Sequence, residues 1–134
     1  MILADTSAWM EYDRGTDSPA HRKLVELIAE GGQNVAVTEP VLMEVLGGAN
    51  DDQNHQRLYN LLTSLSWLAM NPAADFEGAA RINRVCRTSG VAAPGYIVCM
   101  IANIAMRTES EILTADQDFH RVAELFPLKF AAMP

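Results

Sequence analysis

Positive charge is what this sequence is short of. Ten Lys and Arg stand against 17 Asp and Glu, for a formal net charge of -7 and a pI near 4.8. A surface of that sign has no non-specific grip on nucleic acid. It does not exclude a nuclease, because a bound divalent cation supplies positive charge where a phosphate must sit. It also leaves room for a basic protein partner. Cysteine is scarce: Cys86 and Cys99 form no C-x-x-C pair, so a cysteine-type zinc site is unsupported and both are expected to pack as small hydrophobes. His21, His55 and His120 are scattered without H-E-x-x-H spacing and are expected at the surface. No apolar run is long enough to cross a bilayer, and no signal-peptide pattern opens the sequence, so a cytoplasmic protein is the expectation. Walker A, G-x-G-x-x-G and G-x-S-x-G motifs are all missing, as are internal repeats, low-complexity tracts and linkers.

What is present is a globular composition, 49% hydrophobic and 20% charged over 134 residues, enough for one domain spanning 1–134 with one core. Ile2-Leu3-Ala4 predicts a short buried strand, followed by a helix over about Thr6 to Tyr12 and a turn at 14–17. A second helix has Ser18 as cap, Pro19 at its first position and Gly31-Gly32 beyond its end. Asn34 to Val37 predicts a strand, and Thr38 a cap for a helix with Val41, Leu42, Val45 and Leu46 as its buried stripe. After the loop 47–52, Leu58, Leu61, Leu62 and Leu65 mark a fourth helix, and 67–70 a strand. Asn71-Pro72 opens a helix to about Thr88, with Phe76, Ala79, Ile82, Val85 and Cys86 on its apolar side. Residues 96–106 are apolar except Asn103, which predicts a helix buried on most sides. Glu111 to Thr114 reads as a strand, 119–125 as helix, and 128–131 as a short final strand. Strands alternating with helices imply an α/β fold with a parallel sheet covered on both faces.

Isolated acids recur at the ends of these strands. Asp5 follows the first strand directly, and Asp116 and Asp118 follow the last. In an open parallel sheet, ligands bind outside the carboxyl ends of the strands. An Asp there can hold a metal, with Thr6 and Ser7 able to cap the next helix or touch the same ion; it reads equally as a simple helix cap. Glu44 lies on the shoulder of a buried helical stripe, where it either points into a cleft or is solvated. Asp118 is an auxiliary carboxylate or the cap of the last helix. A few carboxylates plus water suit magnesium or manganese, and such an ion activates water and neutralises a phosphate in flight.

Four segments together carry a family resemblance: Ile2-Leu3-Ala4-Asp5-Thr6-Ser7-Ala8-Trp9, Thr38-Glu39-Pro40-Val41-Leu42-Met43-Glu44-Val45-Leu46, Ile101-Ala102-Asn103-Ile104-Ala105-Met106-Arg107 and Leu113-Thr114-Ala115-Asp116-Gln117-Asp118-Phe119. In order and spacing the chain resembles PIN-domain proteins, and among them the VapC toxins of bacterial VapBC toxin–antitoxin pairs. That resemblance implies a PIN-like three-layer α/β/α sandwich with a short, mostly parallel central sheet. It implies a Mg2+-dependent (Mn2+ possible) endoribonuclease cutting structured RNA such as transfer RNA. It further implies a homodimer neutralised by a VapB antitoxin, with no membrane association. By the same resemblance Asp5, Glu44 and Asp116 match the catalytic acids, with Asp5 and Asp116 as metal ligands. Thr6 or Ser7 matches a hydroxyl position, and Asp118 an auxiliary acid.

One position departs from the pattern. Where the family carries an acid at the start of its buried helix, this chain has Val98, and Pro94 stands where relatives often carry a basic residue. Valine can neither ligate a metal nor accept a proton, so ion binding is expected to be weakened. Two explanations follow: a natural toxin with altered metal binding, or a detoxified variant. Three functional readings stand beside one another: the nuclease, a catalytically silent module that dimerises and binds antitoxin, and a plain α/β domain with capped helices and no site.

Overall fold

The computed structural model describes residues 1–134. Four short strands, β1 (Ile2–Ala4), β2 (Val35–Val37), β3 (Ser66–Trp67) and β4 (Glu111–Leu113), form one sheet in the order β3-β2-β1-β4, parallel throughout. Seven helices connect and cover them: α1 (Thr6–Arg14), α2 (Pro19–Ala29), α3 (Glu39–Gly47), α4 (Asp52–Thr63), α5 (Pro72–Thr88), α6 (Tyr96–Arg107) and α7 (Asp118–Ala123). Leu3 and Ala4, like Val35, Ala36 and Val37, are sealed from solvent. Successive strand residues point to opposite faces, so burial of consecutive residues means that both faces are covered, the three-layer α/β/α arrangement.

β1 sits between β2 and β4, so the chain leaves it to one side first and returns to its other side last. Such a reversal of strand order opens a crevice beyond the strand's carboxyl end. Asp5 occupies that position.

The caps are local and legible. Ser18 accepts from the His21 N–H, Asp51 from Asn54 and Asn71 from Ala74, each fixing a helix start. α1 runs two residues past its expected end, to Arg14, and stops where Gly15 turns left-handed at φ 61°. Thr38 occupies the cap position of α3 but gives no side-chain capping bond. The strand expected over 67–70 is cut short at Trp67. Glu39, at the start of α3, takes the Met70 N–H (2.7 Å) and the Trp67 indole N–H (3.1 Å), drawing that segment off the ladder. The final strand is reduced to one bridge from Phe130 to Ile112.

The face of α5 differs from expectation. Phe76 is 59% exposed, whereas Asp75 is fully buried with Gly78, Ala79, Ile82 and Cys86. Asp75 holds Arg107 of α6 through both carboxylate oxygens, at 3.0 and 2.8 Å, and accepts from Asn103 at 2.8 Å. Burial pushes Asp75 up, but Arg107, the Asn71 N–H and Asn103 outweigh it and hold the carboxyl below its usual range. A Cβ on Gly78 would lie 2.3 Å from the Asn103 side chain, so only glycine permits this approach of α5 to α6. Cys86 and Cys99 are fully buried, and burial pushes both thiols up, Cys99 to about 11, which suits inert packing residues.

Candidate active site

Asp5 ends β1 and caps α1, the helix-cap role expected of it. Its Oδ1 caps α1 by accepting the Ala8 N–H at 2.9 Å. The same carboxylate receives the Ser7 hydroxyl (2.8 Å to Oδ1) and, on Oδ2, the Thr114 hydroxyl (2.8 Å). The β1–β4 pairing, extended by the Asp5 N–H to Leu113 carbonyl bond at 3.0 Å, brings Thr114 to it. Each hydroxyl has one proton to give. Ser7 accepts the Ala115 N–H (2.8 Å) and Thr114 accepts the Asp116 N–H (2.9 Å), leaving both protons for Asp5.

Asp5 is 2% exposed. Desolvation pushes its pKa up from 3.8 to about 6; the Ala8 N–H and the two hydroxyls pull it back, and the nearby negative charge of Asp116 raises it further. The site therefore holds a desolvated carboxylate, charged at neutral pH, facing a second acid: electrostatics that a cation relieves.

Asp116 is half-buried, and its Oδ1 accepts the Asp118 N–H at 2.9 Å. That bond does at the start of α7 what a capping side chain does, since Gln117 contributes none. Asp118 is thus inside the helix and not its cap, and it pairs with Arg121 at 2.5 Å. Glu44 is exposed on α3, and one carboxylate oxygen accepts the Thr6 hydroxyl at 2.5 Å, which ties it to the start of α1. Thr6 and Ser7 therefore divide their work: Thr6 serves Glu44, and Ser7 serves Asp5.

Val98 lies in the first turn of α6, half-buried and packed against the core. No three Asp, Glu, His or Cys side chains gather closely enough to form a metal-ligand cluster. The donor set fits an ion that keeps most of its own water and is held by one or two carboxylates, as magnesium commonly is, and not an all-protein cage. Thr114 is the site residue that sequence reasoning left in a strand. Its signal was there: a hydroxyl directly after an apolar strand and two residues before an acid, a near echo of Asp5 and Ser7.

Residues 2–125 match the family model described as PIN domain. Two curated relatives, the VapC ribonuclease Mb1587 of Mycobacterium bovis and the ribonuclease VapC11 of Mycobacterium tuberculosis, are each 39% identical over 132 residues, covering 98% of both chains. Among solved structures, VapBC2 from Rickettsia felis, bound to a promoter DNA fragment, superposes with a TM-score of 0.76 at 17% identity over 98% of each chain. VapC20 of Mycobacterium tuberculosis, a toxin that cleaves the sarcin–ricin loop, does so with a TM-score of 0.72 at 18% identity over the whole of both. At those identities the superpositions speak to the fold.

Proposed function

The chain belongs to the PIN-domain family, and from that premise we propose that it is a VapC-type toxin: an endoribonuclease that cuts structured RNA and is neutralised by a VapB-type antitoxin. The observation that carries the reading is Asp5, buried and pushed to about 6 beside Asp116, with the Ala8 N–H and the Ser7 and Thr114 hydroxyls donating to it. In this reading Asp5 and Asp116 hold Mg2+, or Mn2+ in its place. When bound, the ion offsets charge on the scissile phosphate and lowers the pKa of a water for attack.

The chain's own residues do the rest. Asp5 stays ionised at neutral pH and fixed in orientation by the Ala8 N–H, Ser7 and Thr114. Thr114 also ties the Asp116 backbone to Asp5, so the two acids are positioned as a pair. Thr6 holds one oxygen of Glu44, leaving the other to orient the attacking water. Asp118, paired with Arg121, steadies the loop that carries Asp116. In-line displacement at phosphorus leaves a 5′-phosphate on one product. In this reading the working unit is a homodimer in the cytoplasm. No helix of the chain is long and apolar enough to cross a membrane.

Val98 favours a second reading, a module that binds antitoxin without cutting RNA, because an aliphatic side chain occupies the first turn of the helix nearest in family pattern to the missing acid. Cleavage assays on stem–loop RNA with magnesium or manganese separate the two. The nuclease reading expects cleavage that EDTA stops and that Asp5→Ala abolishes. Equal cleavage by wild type and Asp5→Ala would trace the activity to a contaminant and overturn it; no cleavage with antitoxin binding retained would establish the silent module.

A further inference from the structure

α1 carries a line of residues away from the site. Ser7, Met10, Glu11 and Arg14 recur at three- and four-residue spacing, so they share one helical face. Together with Ala115 they line a single open groove. Ser7 at one end donates to Asp5, and Arg14 stands at the other. Arg14 also forms a wall of the adjoining polar depression, with Asp13, Asn50, Asp51, Gln53, Asn54 and Arg57, between the end of α1 and the start of α4; both acids there are engaged, Asp13 by Arg57 and Asp51 as the cap of α4. The two hollows therefore meet at its side chain.

Its charge is free. Of the ten Lys and Arg residues, six lie against a carboxylate: Arg22, Lys23, Arg57, Arg81, Arg107 and Arg121. Arg14 is exposed and makes neither an ion pair nor a side-chain hydrogen bond, although Glu11 precedes it by one helical turn. Arg57, across the depression, is already matched by Asp13. In a chain of net charge -7, an unmatched guanidinium at the end of a groove that begins beside Asp5 has a clear electrostatic complement, a phosphate.

We propose that Arg14 binds an RNA backbone phosphate of the strand being cut. This rests on the nuclease reading above for the location of the scissile bond. Arg14 is seven helical steps beyond Ser7, about 10 Å along the axis. That length spans only a few phosphates of one strand, so the contacted phosphate is a few nucleotides from the scissile one. The other role open to an arginine here, interaction with the negative end of the α1 dipole, stabilises the helix and leaves RNA affinity unchanged.

The test is equilibrium binding of a fluorescent stem–loop RNA, followed by anisotropy over a series of KCl concentrations. Arg14→Gln and wild-type Arg14 are compared on an Asp116→Asn background that stops turnover. Arg84→Gln, on α5 away from the groove, controls for loss of one positive charge. Arg14→Gln is expected to lower the slope of log K against log salt by about 0.7–0.9, the value of one phosphate contact. Its affinity penalty is then roughly threefold larger at 50 mM than at 200 mM salt. The penalty disappears when the RNA is trimmed to within about two nucleotides of the cut. Equal slopes for Arg14→Gln and Arg84→Gln, or a change in Tm alone, overturn the proposal, as does failure of the parent protein to bind RNA. If Arg14 governs the slope but wild-type protein never cleaves, the phosphate site stands and the catalytic reading falls.

Discussion

Replacing Asp5 by Asn tests the electrostatics of the site without dismantling it. Asn retains one oxygen for the Ala8 N–H, and it caps helices as well as Asp does. The hydroxyls of Ser7 and Thr114 can each turn to accept from its amide. What disappears is a buried charge. Folding raises the Asp5 pKa from 3.8 to about 6, so the folded chain binds this proton more tightly than the unfolded chain does. The group therefore favours folding at pH below about 3.8, and that contribution is lost as pH rises through about 6. The difference is worth about 3 kcal/mol above pH 7. Allowing for the Thr114 hydroxyl proton, which loses its acceptor when Oδ2 becomes an amide nitrogen, Asp5→Asn should stabilise the metal-free protein by about 2 kcal/mol at pH 7.5. For a chain of this size that raises Tm by roughly 5–8 °C. Thermal denaturation in EDTA between pH 4.5 and 8 reads it directly. The gain should shrink by about 2 kcal/mol on going to pH 4.5. On the nuclease reading, magnesium should narrow the gap at pH 7.5, since an ion held by Asp5 would stabilise wild type and not the variant. A variant less stable than wild type at pH 7.5, or a gain independent of pH, would refute the buried-charge reasoning.

Three further perturbations have definite outcomes. Thr114→Val removes a proton donor from Asp5 and the acceptor of the Asp116 N–H; RNA cleavage should fall at least about tenfold, with the pH profile of kcat/KM moved upward as Asp5 loses a bond to its charged form. Gly78→Ala drives a methyl into the Asn103 side chain and through it disturbs Asp75 and Arg107; urea denaturation should show a loss of about 2–3 kcal/mol. Val98→Asp should tighten manganese binding at least about tenfold by calorimetry and raise RNA cleavage with it; no gain in either would count against a metal site at this end of the sheet.

The fold was readable because its signals are local. Ser18-Pro19 and Asn71-Pro72 announce helix starts that the structure keeps, and the consecutive apolar residues of β1 and β2 announce a sheet covered on both sides. Asp5 was readable for the same reason, since a carboxylate directly after a three-residue strand has few places to go. Phe76 faces solvent against its period, because period alone cannot tell which side of a helix is buried when an acid has a partner. Arg107 lies 32 positions away, and its pairing rotates Asp75 into the core and Phe76 out of it. β3 is shorter than its apolar run predicts because Glu39, 31 positions before Met70, withdraws a ladder N–H by a side-chain bond. Thr114 reads as strand alone in the sequence, since its contact with Asp5 spans 109 positions and depends on β1 pairing with β4. What escaped the sequence in each case was a long-range polar contact, which no local periodicity encodes.

The nuclease reading turns on whether Asp5 and Asp116 share one divalent ion. Anomalous diffraction from crystals soaked in manganese decides this directly. One peak bonded to a carboxylate oxygen of each residue, present in wild type and lost in Asp5→Asn, is the expected result. Millimolar manganese leaving that gap without a peak, in crystals of protein that still cleaves RNA, would contradict it.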